Sequence, residues 1–140
     1  MALRVQVHAA IWVDGKLVVH RSMRHGRERL TLPGGRVKLR ESIHDALRRE
    51  VREEVQLDVE IGTLRFAGEV VNLSLQDVLL IFDATIAGPV QASELDLVDP
   101  ASPDAQRILP PVVTALANWP VNGAPRWLGN LALADPLASE

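Results

Sequence analysis

The chain has 140 residues, 47% hydrophobic and 24% charged, with a net charge of −3, the profile of an ordinary globular protein of a size for one domain over residues 1–140. Net acidity argues against non-specific nucleic-acid binding, which needs a basic footprint. The absence of cysteine excludes disulfides, thiolate zinc sites and cysteine nucleophiles, and no run approaches the roughly 18 apolar residues of a membrane helix, so a cytoplasmic location without a membrane anchor is expected.

Leu3 to Val13 is apolar, first in alternation and then continuously. Asp14-Gly15 is a two-residue turn signal before Lys16-Leu17-Val18-Val19, and together these predict a β-hairpin. Trp12 near its end either packs on the sheet or offers a face for stacking. Arg21, Arg24, His25, Arg27 and Arg29 then form a basic loop with few apolar residues. Leu30-Thr31-Leu32 reads as a short strand entering Pro33-Gly34-Gly35, where two glycines let the backbone approach a ligand closely.

A helix is expected after Glu41, with Ser42 as its N-cap and Asp45 placed as in a capping box. Ile43, Ala46 and Leu47 draw an apolar stripe, with Val51 and Val55 along its edge. At roughly 100° per residue, Glu50, Glu53 and Glu54 continue that stripe on one arc. Crowded carboxylates repel, and losing water penalises each unless something compensates. A hard divalent cation does so, since Mg²⁺ takes oxygen ligands from carboxylates and substrate phosphates. The bland reading is a solvated helix whose Arg and Glu side chains, Arg49 with Glu53 among them, pair at helical spacing. His44 falls about 120° from Glu50 around the helix, and neither it, His8 nor His20 has a partner at metal-ligand spacing.

The order Gly35, five residues, Glu41, seven residues, Arg49-Glu50-Val51, then Glu53, Glu54 and Leu57 resembles the signature of the Nudix hydrolase family. Gln56 departs from it, standing where the family has the glycine of a left-handed helix terminus, and altered helix termination without loss of chemistry is expected. The resemblance implies an α+β fold, an α/β/α sandwich around a mixed sheet. It implies Mg²⁺, or Mn²⁺, held by Glu50, Glu53 and Glu54 with a backbone carbonyl of the glycine pair, Gly35 being the one carried forward. Glu41 and Arg49 would orient those ligands. A loop carboxylate, Glu94 by position, would be a further ligand or the base, and Arg21 or Arg24 would contact phosphate through its forked donors.

Beyond the motif, Leu57 to Ile61 alternates, Leu64 to Leu75 is mostly apolar, and Asp77 to Ile86 reads as a long strand stopped by Gly88-Pro89. Glu69 and Asp77 either reach toward the metal or face solvent. Gln91 to Pro103 is an acidic loop. Pro110-Pro111 would open a closing helix with Val112, Val113, Leu116 and Trp119 on its apolar side and Pro120 at its end. Ala124 to Leu133 would add an edge strand carrying Trp127.

The implied reaction is hydrolysis of a phosphoanhydride in a nucleoside diphosphate linked to another moiety, with Glu53 or Glu50, or Glu94, as general base. Base and sugar would be read by loops and by aromatics such as Trp12, Phe66, Phe82, Trp119 or Trp127, leaving nucleoside triphosphates, oxidised nucleotides, nucleotide sugars, ADP-ribose and dinucleoside polyphosphates as candidates. The rival is a non-catalytic module of the same fold that binds a nucleotide or a partner. A nucleic-acid binder using Arg21 to Arg29 would instead lose affinity steeply with salt, independently of Mg²⁺. The β-rich middle leaves room for a homodimer. No nucleophile elbow, phosphate loop or dinucleotide glycine run competes.

Overall fold

A computed structural model describes residues 3–119 and 123–131. Its spine is β1 (Arg4–Val13), whose alternation buries Val7, Ala9 and Ile11 on one face and Ala10 on the other. The expected hairpin forms: Asp14 (φ 50°) and Gly15 (φ 76°) turn the chain into β2 (Lys16–Val18), with Trp12 opposite Leu17.

The basic segment is not a loop. β3 (His20–Arg24) and β4 (Arg27–Thr31) pair across His25 (φ 52°) and Gly26 (φ 74°), a second turn of the same kind. Leu30 anchors the ribbon in the core, and its charged side chains share the half-buried and exposed positions. β5 (Gly34–Arg36) then lies antiparallel on β1, with Val7 opposite Gly35 and His8 opposite Gly34.

Helix α1 (Ile43–Val55) opens as expected, Ser42 Oγ accepting from the Asp45 N–H at 3.1 Å, and buries Ala46, Leu47 and Val51. Termination is not altered: Gln56 itself takes the left-handed conformation (φ 55°, ψ 39°) and donates its N–H to the Arg52 carbonyl at 3.1 Å. A non-glycine residue there is strained, so Gln56→Gly is expected to raise stability by about 0.5–1 kcal/mol in denaturant unfolding with no change in chemistry.

The two segments expected between residues 57 and 75 merge into one strand, β6 (Val59–Val71), whose pairing with β7 (Gln76–Ile86) shifts register between Ile61 and Phe66. Short strands β8 (Leu97–Val98) and β9 (Ile108–Leu109) follow. Pro110-Pro111 precede the second helix rather than filling its first turn, because α2 spans only Val113–Asn118 with Val112 as its N-cap. The edge strand is β10 (Arg126–Asn130), parallel to β6. Pro120, and the end of that strand expected at Leu133, lie outside the described residues.

The larger sheet runs β10-β6-β7-β1-β2-β8 with β5 also on β1, and the smaller runs β3-β4-β9. Parallel β1–β7 and antiparallel β6–β7 pairs make the larger one mixed. Val7, Ala9, Ile11 and Val18 pack with α1, whereas Ala10, Leu17, Phe66 and Ile81 pack with Leu30, Val113 and Leu116. Helix therefore covers both faces, the α+β sandwich expected. Among the described residues no helix is long and apolar enough to cross a membrane.

Candidate active site

The carboxylates meet the double-glycine bend because β5 is laid flat along β1. The Pro33 carbonyl accepts from Ala9 N–H at 2.9 Å, and Val37 N–H reaches the Val5 carbonyl at 2.9 Å. A Cβ on Gly34 would stand 2.1 Å from the Val7 carbonyl oxygen and 2.6 Å from His8 Cα, so only glycine fits. A Cβ on Gly35 would stand 2.7 Å from Glu50 Cδ, which shows that the Glu50 carboxylate rests against the bare backbone.

Glu54 is joined to the same bend. Its Oε1 accepts from the Gly34 N–H at 2.7 Å, and its Oε2 lies 3.1 Å from His20 Nδ1. Burial pushes its carboxyl above the usual carboxylate range, and the Glu50 charge adds to that, while the Gly34 N–H and His20 oppose it. His20 therefore belongs to the site, contrary to the expectation from sequence spacing.

Arg49 ties the remaining acids together. Its Nε and Nη2 fork onto Glu41 at 2.7 and 2.9 Å, its Nη1 reaches Glu50 at 2.9 Å and Glu53 at 3.4 Å, and Nη2 also donates to the Arg36 carbonyl at 3.1 Å. That fork, with the Lys38 N–H, holds the Glu41 carboxyl down to about 2. Glu53 is the most open of the three candidate ligands, its side chain 57% exposed against 17% for Glu50 and 20% for Glu54.

A cleft of ≈ 240 Å³ opens from Glu54 and the glycines between β1 and the β3–β4 ribbon. Strand alternation decides which side chains of the ribbon enter it: His20, Ser22 and Arg24 do, and Arg29, opposite Ser22, does as well. Arg21, expected on phosphate, points to the other face of β3, where it forks onto Asp96 at 2.7 and 3.0 Å and reaches Glu28 at 2.7 Å. Asp77 is not a solvent-facing carboxylate: it lines the same cleft as Glu54, is 1% exposed and takes a fork from Arg4 at 2.7 and 3.0 Å. It also accepts from Gln6, whose Oε1 lies 3.0 Å from His8 Nε2. Burial pulls the His8 imidazole down to about 4. Glu69 lies on β6 between β7 and β10, away from the cleft. Glu94, in a 3₁₀ turn at Ala92–Glu94, lines a smaller cleft of ≈ 170 Å³ that shares His20 and Glu54. His44 is structural, set edge-on against Phe82 with ring centroids 5.3 Å apart.

Among the described residues no three His, Asp or Glu side chains close into a metal cage. The donors nonetheless fit a hard cation: all are oxygens, Glu50 is pressed on an uncovered glycine backbone, and Glu54 carries a charge that burial and Glu50 both disfavour. An open-sided cluster facing an arginine-lined cleft leaves room for a ligand to complete the coordination.

The family model of the NUDIX domain matches residues 2–97. The comparison with curated proteins gives no match. Solved structures share the fold. An ADP-ribose pyrophosphatase from Streptococcus suis 89-1591 superposes with a TM-score of 0.66 at 18% identity, covering 89% of this chain and 98% of its own. A NUDIX hydrolase from Nitrosomonas europaea does so at 0.67 and 22%, covering 83% and 86%. A MutT NUDIX hydrolase from Burkholderia pseudomallei is similar at 0.57 and 27%, covering 71% and 77%. With the family model spanning more than half its length, and the signature residues gathered at one bend, the chain belongs to the Nudix hydrolase family.

Proposed function

We propose that the protein is a metal-dependent pyrophosphohydrolase, cleaving a phosphoanhydride in a nucleoside diphosphate linked to another moiety. The observation that carries this reading is the meeting of Glu50 and Glu54 with the Gly34–Gly35 bend at the mouth of a cleft walled by arginines. Glu50, Glu53 and Glu54, with the Gly35 carbonyl, would hold Mg²⁺ or Mn²⁺. When bound, such an ion polarises phosphate oxygens and makes a water more acidic.

The side chains divide the remaining work. Arg49, anchored on Glu41, fixes Glu50 against the glycine and leaves Glu53 only its longest contact, 3.4 Å. Glu53 is therefore assigned as the general base, because a carboxylate held by one weak contact keeps the lone pairs needed to accept a proton from water. Glu54, fixed by the Gly34 N–H, supplies negative charge, and Arg24 on the ribbon receives the anionic substrate.

The test is product analysis over a panel of nucleoside triphosphates, nucleotide sugars, ADP-ribose and dinucleoside polyphosphates. With Mg²⁺ at least one should release phosphate, pyrophosphate or a nucleoside monophosphate, and chelation should abolish release. Tight binding of a panel member without turnover would replace the hydrolase by the binding module.

A further inference from the structure

Resting on the hydrolase reading, we propose that this cleft selects substrate by phosphate charge rather than by nucleobase, favouring an anhydride with three or more phosphates. The chain holds three Trp, two Phe and no Tyr. All five rings lie within the described residues, and none lines the cleft or its inner recess. Trp12 stands at the outer end of β1 and Phe82 packs under α1. Phe66 and Trp119 pack on each other at 5.4 Å, in a crevice that shares no residue with the cleft, and Trp127 lies on the edge strand. No Trp or Phe ring therefore offers the cleft a platform for stacking a base.

Two of the groups that could read a base edge, Gln6 and Asp77, are already committed. Gln6 donates to Asp77 at 2.5 Å and its carbonyl oxygen faces His8 at 3.0 Å, while Asp77 is forked by Arg4. The recess beside them is small, ≈ 50 Å³, and continues the cleft through Gln6, His8 and Asp77. What the cleft does present is charge: beside the Arg4–Asp77 pair, Arg24, Arg29 and Arg36 line it together with Glu54. Two of these arginines, Arg24 and Arg29, come from cleft-facing positions of one β-ribbon, and guanidinium groups suit the forked recognition of phosphate oxygens.

Two measurements decide it. Steady-state kinetics with Mg²⁺ would compare four nucleoside triphosphates, inorganic tripolyphosphate and a nucleoside diphosphate sugar. Titration calorimetry would compare tripolyphosphate with an unphosphorylated nucleoside. Expected are less than ~5-fold spread in kcat/KM among bases, and at least ~10-fold preference for triphosphates over the diphosphate sugar. Tripolyphosphate should bind where the nucleoside does not. Arg24→Gln and Arg29→Gln should each raise KM for triphosphates by ~5–10-fold with kcat nearly unchanged, and less so for the diphosphate sugar. A base preference above ~30-fold, a favoured diphosphate sugar, or a nucleoside binding as tightly as tripolyphosphate would overturn the proposal. A base preference abolished by Trp127→Ala would do so as well, since a second copy would then be supplying the platform. If nothing turns over, the hydrolase reading fails by itself, and calorimetry still decides for or against charge selection.

Discussion

Glu53→Gln and Glu54→Gln should each lower kcat/KM by at least ~10²-fold, the scale of losing an acid–base or electrostatic group, without unfolding the protein. Glutamine keeps the shape and one carbonyl oxygen, so Glu54→Gln still accepts from the Gly34 N–H while it loses the charge and the carboxylate contact with His20. That charge works against the fold. Burial raises the Glu54 carboxyl above its unfolded value, so folding disfavours its ionised form, and stability declines as pH rises through and above the ordinary carboxylate range. In chelator at neutral pH the Glu54→Gln protein should therefore melt no lower than the parent. Mg²⁺ should raise the parent's Tm and leave the variant's nearly unchanged, because only a ligand that binds the folded state stabilises it. Glu53 is exposed and makes one weak contact, so its replacement should be silent in melting and severe in turnover. Full activity in both variants would move the hydrolytic site elsewhere in the molecule.

The acidic end of α1 was legible because helical periodicity is local: the stripe of Ile43, Ala46 and Leu47, the Ser42 cap and the arc of Glu50, Glu53 and Glu54 all lie within one element. The Asp14-Gly15 hairpin was legible for the same reason. The β3–β4 ribbon was not, because a run of arginines outweighed the His25-Gly26 turn signal. Without strand alternation, nothing distinguished Arg21 from Arg24 or brought Arg29 forward. His20 and Glu54 lie on different elements, a strand of the ribbon and α1, and meet only in the folded chain. Asp77 and Arg4, 73 residues apart, become partners through the parallel pairing of β1 with β7, which no local pattern announces. Local spacing reveals groups carried on one element, whereas partners delivered by sheet register depend on pairings between distant segments.

The two glycines of the bend should differ in what the same methyl group costs them, stability and activity at Gly34 and chiefly activity at Gly35. In Gly34→Ala the new Cβ meets backbone, the Val7 carbonyl oxygen and His8 Cα, and neither can retreat without parting β5 from β1. Overpacking against an unyielding backbone predicts a loss of about 3 kcal/mol, a fall in Tm of roughly 10 °C for a chain of this size, and activity falling with it as Glu54 loses its Gly34 partner. In Gly35→Ala the atoms nearest the Cβ are those of the Glu50 carboxylate, the far end of a flexible side chain held by Arg49. That group can swing aside, so Tm should change by no more than a few degrees, on the order of 1 kcal/mol. Glu50 is then displaced from the bend, and kcat/KM should fall by at least ~10-fold, since misplacing a positioned group by about 1 Å can cost more than that. Thermal melts and initial rates on both variants separate the roles. A fully active Gly35→Ala protein would mean that the contact of Glu50 with the bend is incidental to turnover. A Gly34→Ala protein that melts like the parent would mean that β5 is not locked to β1 at this residue, and the glutamates would then need another reason to face the cleft.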